Sequence, residues 1–84
     1  MSYDILISEK AKKQLSKLDR GLRERIIKTL KRCRVRPYVH VKKLVSSPYF
    51  RLRVGDYRVI MDIKDNELRI LVIEIDHRKK IYKK

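Results

Sequence analysis

Three arginines placed around one short turn carry the clearest chemical signal in this chain. Phe50-Arg51-Leu52-Arg53-Val54 alternates apolar and basic residues, and Tyr57-Arg58-Val59 resumes the alternation after Gly55-Asp56. A two-residue loop with glycine first is what a type II′ hairpin turn prefers. With that loop Val54 pairs with Tyr57, Arg53 with Arg58 and Arg51 with Ile60, and paired residues project from the same face. Arg51, Arg53 and Arg58 then share the face opposite Phe50, Leu52 and Val59. Two arginines directly across a ladder repel each other, which costs stability. A phosphate between them removes that cost, because guanidinium forks bind phosphate oxygens bidentately and stay charged. The alternative is that the long side chains splay into solvent. Phosphate binding is the chemistry expected of this hairpin.

The charge of the whole chain points the same way. Twenty-four Lys and Arg stand against 10 Asp and Glu in 84 residues, for a net charge of +14. Between Arg20 and Arg53, twelve basic residues are opposed by Glu24 alone. Self-repulsion of that size destabilises a compact state, and mere compositional drift would spread the charge evenly. A polyanionic partner, RNA above all, is expected. Outside the hairpin, the cations expected to contact RNA are Arg23, Lys28, Lys31, Arg34, Lys42, Lys43, Lys79 and Lys80.

The remaining reactive side chains are few. Imidazoles titrate near neutrality, so His77, beside Arg78, is a candidate for proton transfer as well as a plain strand-end residue. His40, in the loop after Pro37, reads as a surface residue. Two histidines and Cys33 at unrelated spacings make no metal site. With only Gly21 and Gly55 there is no glycine-rich phosphate loop, and no cofactor is expected. A lone cysteine and no signal-like leader imply a reducing, cytoplasmic setting. The apolar runs are far shorter than the ~20 residues that cross a bilayer, so no membrane partner is expected.

The elements that must position the arginines follow from periodicity. Tyr3 to Ile7 reads as a strand, with Ser8 as the N-cap of a helix that buries Ala11, Leu15 and Leu18. Asp19-Arg20-Gly21 breaks that helix. A second helix buries Leu22, Ile26, Ile27, Leu30 and Cys33, so two helices joined at Gly21 form an αα-hairpin. Arg36-Pro37 is expected to end it, because the residue before proline avoids α geometry. A loop through His40, Lys42 and Lys43 leads to the arginine hairpin, and Asp65-Asn66 turns into a strand from Leu68 to Ile75. That strand is apolar on both faces, as interior strands are. Arg78 to Lys84 is a basic tail, either a last strand or a frayed end. The order β-α-α-β-β-β predicts one α+β domain over residues 1–84. Its N-terminal strand and αα-hairpin would pack on one face of a mostly antiparallel, about four-stranded sheet, leaving the other face for a ligand.

Phe50-Arg51-Leu52-Arg53-Val54-Gly55-Asp56-Tyr57-Arg58-Val59-Ile60 and Asp76-His77-Arg78-Lys79-Lys80-Ile81-Tyr82 resemble the two signatures of the RelE/ParE toxin superfamily, over nearly the whole chain. The resemblance, closest to RelE-type mRNA interferases, implies the toxin of a type II toxin–antitoxin pair. Such a toxin enters the ribosomal A site and cuts messenger RNA without a metal. The messenger's own 2′-hydroxyl attacks the adjacent phosphate, leaving a 2′,3′-cyclic phosphate and a 5′-hydroxyl. Matched by position, the resemblance assigns catalysis to Arg51, Arg53, Arg58, Arg78 and Tyr82. Arginine cannot act as a base, so the four arginines would stabilise charge, at ~3–4 kcal/mol per donor. Tyr82 would be the base, or would stack on an RNA base. Some relatives carry lysines where this chain has Arg51 and Arg53, and a lysine can act as a base, so the identity of the base stays open. The implied partners are the ribosome, messenger RNA and an acidic RelB-like antitoxin that wraps the toxin. Two other functions remain open: a ParE-like inhibitor of DNA gyrase, and a non-catalytic RNA- or ribosome-binding protein.

Overall fold

A computed structural model describes residues 2–77. Strand β1 (Asp4–Ile7) leads into helices α1 (Glu9–Ser16) and α2 (Arg20–Arg32) and a single turn, α3 (Pro37–His40). Strands β2 (Lys42–Lys43), β3 (Phe50–Val54), β4 (Tyr57–Lys64) and β5 (Arg69–His77) complete a sheet of order β1-β5-β4-β3-β2. The class is α+β, as expected. The sheet has five strands rather than about four, because Lys42 and Lys43 pair with Arg51 and Phe50. β1 lies parallel to β5 and the other pairs are antiparallel. β5 is interior, as its two-sided apolar pattern implied.

Capping chemistry decides the helix ends. Ser8 is the N-cap of α1, its hydroxyl accepting from the Ala11 amide, as expected. The break before α2 falls earlier than Gly21, because Asp19 accepts from the Leu22 amide and starts the helix at Arg20. Gly21 therefore lies in the first turn of α2 and is not the joint. α2 stops at Arg32, before Arg36-Pro37. Pro37 instead opens α3, where its fixed φ suits a helix and its missing N–H is not needed.

The helices bury one face of the sheet. Leu52, Val54, Val59, Met61, Ile63, Ile70, Val72 and Ile75 pack against Ala11, Leu15, Ile26, Leu30 and Cys33. Burial pushes the Cys33 thiol up to about 11, which leaves a core side chain rather than a nucleophile. β1 pairs with β5 only as far as Ile7 and Val72. Beyond that point α1 serves the outward backbone of β5. The Ser8 hydroxyl donates to the Ile73 carbonyl at 2.8 Å, and the Gln14 side-chain oxygen accepts from the Ile75 amide at 2.7 Å. Gln14→Leu keeps the volume and leaves the part-buried Ile75 amide unsatisfied. Urea unfolding is expected to show a loss of about 1–3 kcal/mol with an unchanged m-value.

A second tie fixes α3. The hydroxyls of Tyr3 and Tyr38 both donate to Asp65 Oδ1, at 2.9 and 2.7 Å. The Tyr38 ring stands edge-on to Phe50, with centroids 5.3 Å apart. Burial, then the Asp65 hydrogen bond, pushes the Tyr38 phenol up to about 12. The unfolded chain loses this proton first, near pH 10. The stabilisation is therefore complete below about pH 10 and is lost as pH rises towards 12. Thermal melts at about pH 9 and about pH 11.5 are expected to differ more for the native chain than for Tyr38→Phe.

Candidate nucleic-acid interface

The arginine hairpin forms in the expected register. Val54 pairs with Tyr57, Arg53 with Arg58 and Arg51 with Ile60. Gly55 turns the chain at φ +60°, which glycine adopts without strain. A Cβ there would also stand 3.3 Å from the Arg25 guanidinium. The apolar alternates Leu52, Val54 and Val59 are buried, so the pleat turns Arg51, Arg53 and Arg58 to the face away from the helices. Lys42, the partner of Arg51, joins them. Arg53 is exposed, Arg51 is half-buried and Arg58 is only 8% exposed.

β5 sets the environment of Arg58. Asp76 is its cross-strand partner on the side away from Arg53, so Arg58 lies between a cation and a carboxylate. The carboxylate offsets the Arg53–Arg58 repulsion and lets a buried guanidinium sit beside an exposed one. Nearer β1 the same face is balanced by its own ion pairs, Lys64 with Asp62 and Lys10 with Glu74, each at 3.4 Å. The uncompensated cations gather over β2 and β3.

There they line a cleft. His40, Lys42, Arg51 and Arg53 surround a space of about 210 Å³. Among the described residues, no hydrogen bond or ion pair engages these four side chains. Two guanidinium forks and an ammonium with unoccupied donors can hold the non-bridging oxygens of a phosphodiester. His40, read from sequence as a surface residue, is exposed but belongs to this cleft. The signal that points to it is positional: it lies two residues before Lys42, which pairs with Arg51.

His77 goes elsewhere. It pairs with Tyr57, and the two rings meet edge-on with centroids 5.0 Å apart. Gln14, Lys17 and Leu18 stand around it, on the helix side of the sheet, so it is not gathered with the three arginines. The helix cations also face another way. Arg23, Lys28 and Lys31 rim an open groove floored by Leu15 and Ile27. Arg34 is held to the N-terminal segment, its Nε donating to the Tyr3 carbonyl at 2.9 Å. Lys43 pairs with Phe50, which turns it away from Lys42. Arg78, Lys79, Lys80 and Tyr82 lie outside the described residues.

Fold and sequence both have known counterparts. The family model described as the ParE toxin of type II toxin–antitoxin systems, parDE, matches residues 5–82. A RelE-like toxin protein of Escherichia coli is 29% identical over 83 residues, which cover 95% of this chain and 87% of the relative. A chain of the RelBE2 toxin–antitoxin complex of Mycobacterium tuberculosis superposes with a TM-score of 0.86 at 22% identity, over 93% of both chains. For the archaeal RelE–RelB complex of Pyrococcus horikoshii the TM-score is 0.82 at 25% identity, over 93% of this chain and 97% of the other. With a shared fold, and a family model spanning nearly its whole length, this chain belongs to the ParE toxin family of type II toxin–antitoxin systems, within the RelE/ParE superfamily.

Proposed function

We propose that this toxin is a ribosome-dependent endoribonuclease that cuts messenger RNA in the A site. The observation that carries the reading is the row of Lys42, Arg51, Arg53 and Arg58 on a sheet face that the helices leave open. Lys42, Arg51 and Arg53 line one cleft there and, among the described residues, take part in no ion pair, so their donors suit phosphate oxygens. Attack by a 2′-hydroxyl on the adjacent phosphorus builds charge on the phosphorane oxygens, and fixed guanidinium groups stabilise that charge. They supply the positive charge that other nucleases take from a metal. The products are a 2′,3′-cyclic phosphate and a 5′-hydroxyl. Arg78 and Tyr82 complete the reacting group by their place in the RelE-like signature. An antitoxin partner is supported by the M. tuberculosis and P. horikoshii structures, which are toxin–antitoxin and RelE–RelB complexes. Charge complementarity with a +14 toxin favours an acidic chain.

The match to the ParE toxin model favours a second reading, inhibition of DNA gyrase. One pair of assays separates the two. Messenger 5′ ends are mapped by primer extension in a programmed translation reaction and on the same messenger without ribosomes. New ends within A-site codons only when ribosomes are present support the nuclease. Folded protein that leaves messenger intact in both conditions but blocks gyrase supercoiling establishes the alternative.

A further inference from the structure

Among the described residues, one side chain of the cleft is an imidazole, the group most often used as a general base. Three of the four described residues that line the cleft, Lys42, Arg51 and Arg53, are cations, and arginine does not give up its proton in proteins. The fourth is His40, at the C-terminal end of α3. Among the described residues, no carboxylate lines the cleft. A cleft made only to grip phosphate needs no imidazole, whereas transesterification needs a base within reach of the 2′-hydroxyl. α3 is also held firmly. Tyr38, two residues before His40, is anchored by Asp65 and packed on Phe50. Phe50 adjoins Arg51 in β3. The imidazole and the first arginine are thus carried by two elements in direct contact.

We propose that His40 is the general base of the cleavage reaction, an inference that rests on the ribonuclease reading above. The phosphate sits between Arg51 and Arg53, and the neutral imidazole takes the proton of the 2′-hydroxyl as its oxygen bonds to phosphorus. The bond from phosphorus to the 5′-oxygen breaks, and that oxygen takes a proton from water. The imidazolium then returns its proton to the hydroxide so formed, so the net change is transesterification alone. Lys42, Arg51 and Arg53 face the imidazole and hold the phosphate through the step.

The test is single-turnover cleavage of messenger on programmed ribosomes, at saturating toxin, across about pH 5.5–8.5. Native protein is compared with His40→Ala and His40→Gln. A base must be unprotonated to act, so the native rate is expected to fall on the acid side. Both variants are expected to bind ribosomes with native affinity, to cleave about 10²-fold more slowly and to lack that acid limb. Added imidazole is expected to restore part of the His40→Ala rate. His40 is exposed, so the variants fold as the native chain does, which melting curves verify. Native-like cleavage by His40→Ala, or an acid limb that survives the substitution, overturns the base assignment and leaves the nuclease intact. Ribosome-bound native protein that never cleaves overturns the nuclease reading itself, and the role of His40 with it.

Discussion

Arg51→Ala/Arg53→Ala is expected to lower single-turnover cleavage by at least about 10³-fold while the fold remains intact. Each side chain projects from the open sheet face, and none of the ion pairs among the described residues involves either. Removing one preorganised donor from a developing oxyanion typically costs ~10²–10³-fold. Two donors to one phosphate act as a unit, so the pair costs less than the product of the single losses. Stability should hold or rise slightly, because Arg53 stands directly opposite Arg58 and like charges across a ladder repel. Binding offers an independent readout. Each phosphate contact to a single strand contributes ~0.7 to the slope of log affinity against log salt. Losing the one phosphate contact that the two arginines share should therefore flatten the slope by ~0.7. Arg51→Lys/Arg53→Lys keeps the charge without the fork, so it should recover the salt slope but only part of the rate. Cleavage at the native rate by the double alanine variant would remove this face from the reaction.

Ile70→Ala is expected to destabilise the domain by about 3 kcal/mol, within the ~2–5 kcal/mol typical of an aliphatic side chain cut to alanine in a core. Ile70 is fully buried, and its ladder partners are Ile5 on β1 and Ile63 on β4. The cavity would open where three strands meet, with little freedom to collapse. In a domain of this size each kcal/mol moves the melting temperature by roughly 4–8 °C, so a fall of about 12–24 °C is expected. Leu6→Ala is the control. Leu6 lies on β1 beside Ile5 but is 47% exposed, on the opposite face, and its loss should cost under about 1 kcal/mol. Similar melting shifts for the two variants would mean that burial does not govern stability here.

Much of this molecule was legible in local sequence, because the determining interactions are local. The alternation from Phe50 to Ile63, with glycine at the turn, sets the hairpin register through contacts a few residues apart. It therefore places Arg51, Arg53 and Arg58 on one face before any tertiary contact is known. Ser8 caps α1 with an amide three residues away. The helix stripes of Ala11 and Leu15, and of Ile26, Leu30 and Cys33, met the core as their spacing required.

Other features depended on partners distant in the chain. Lys42 and Lys43 have no strand pattern of their own and become β2 only by pairing with β3. That pairing brings His40 to the arginines. The bulge opposite Ile60 and Met61 had the larger effect. Met61 pairs with Val72 and Ile60 with Glu74, so Ile73 is an extra residue and every later side chain of β5 changes face. Strict alternation from the buried Ile70 and Val72 would have turned His77 towards the arginines and Glu74 and Asp76 into the core. The bulge instead buries Ile75, takes His77 to the helix side and sets Asp76 opposite Arg58. Periodicity along one strand records which residues alternate. Where that alternation skips a step is decided by the neighbouring strand and by the helix, whose Ser8 and Gln14 bond the backbone of Ile73 and Ile75.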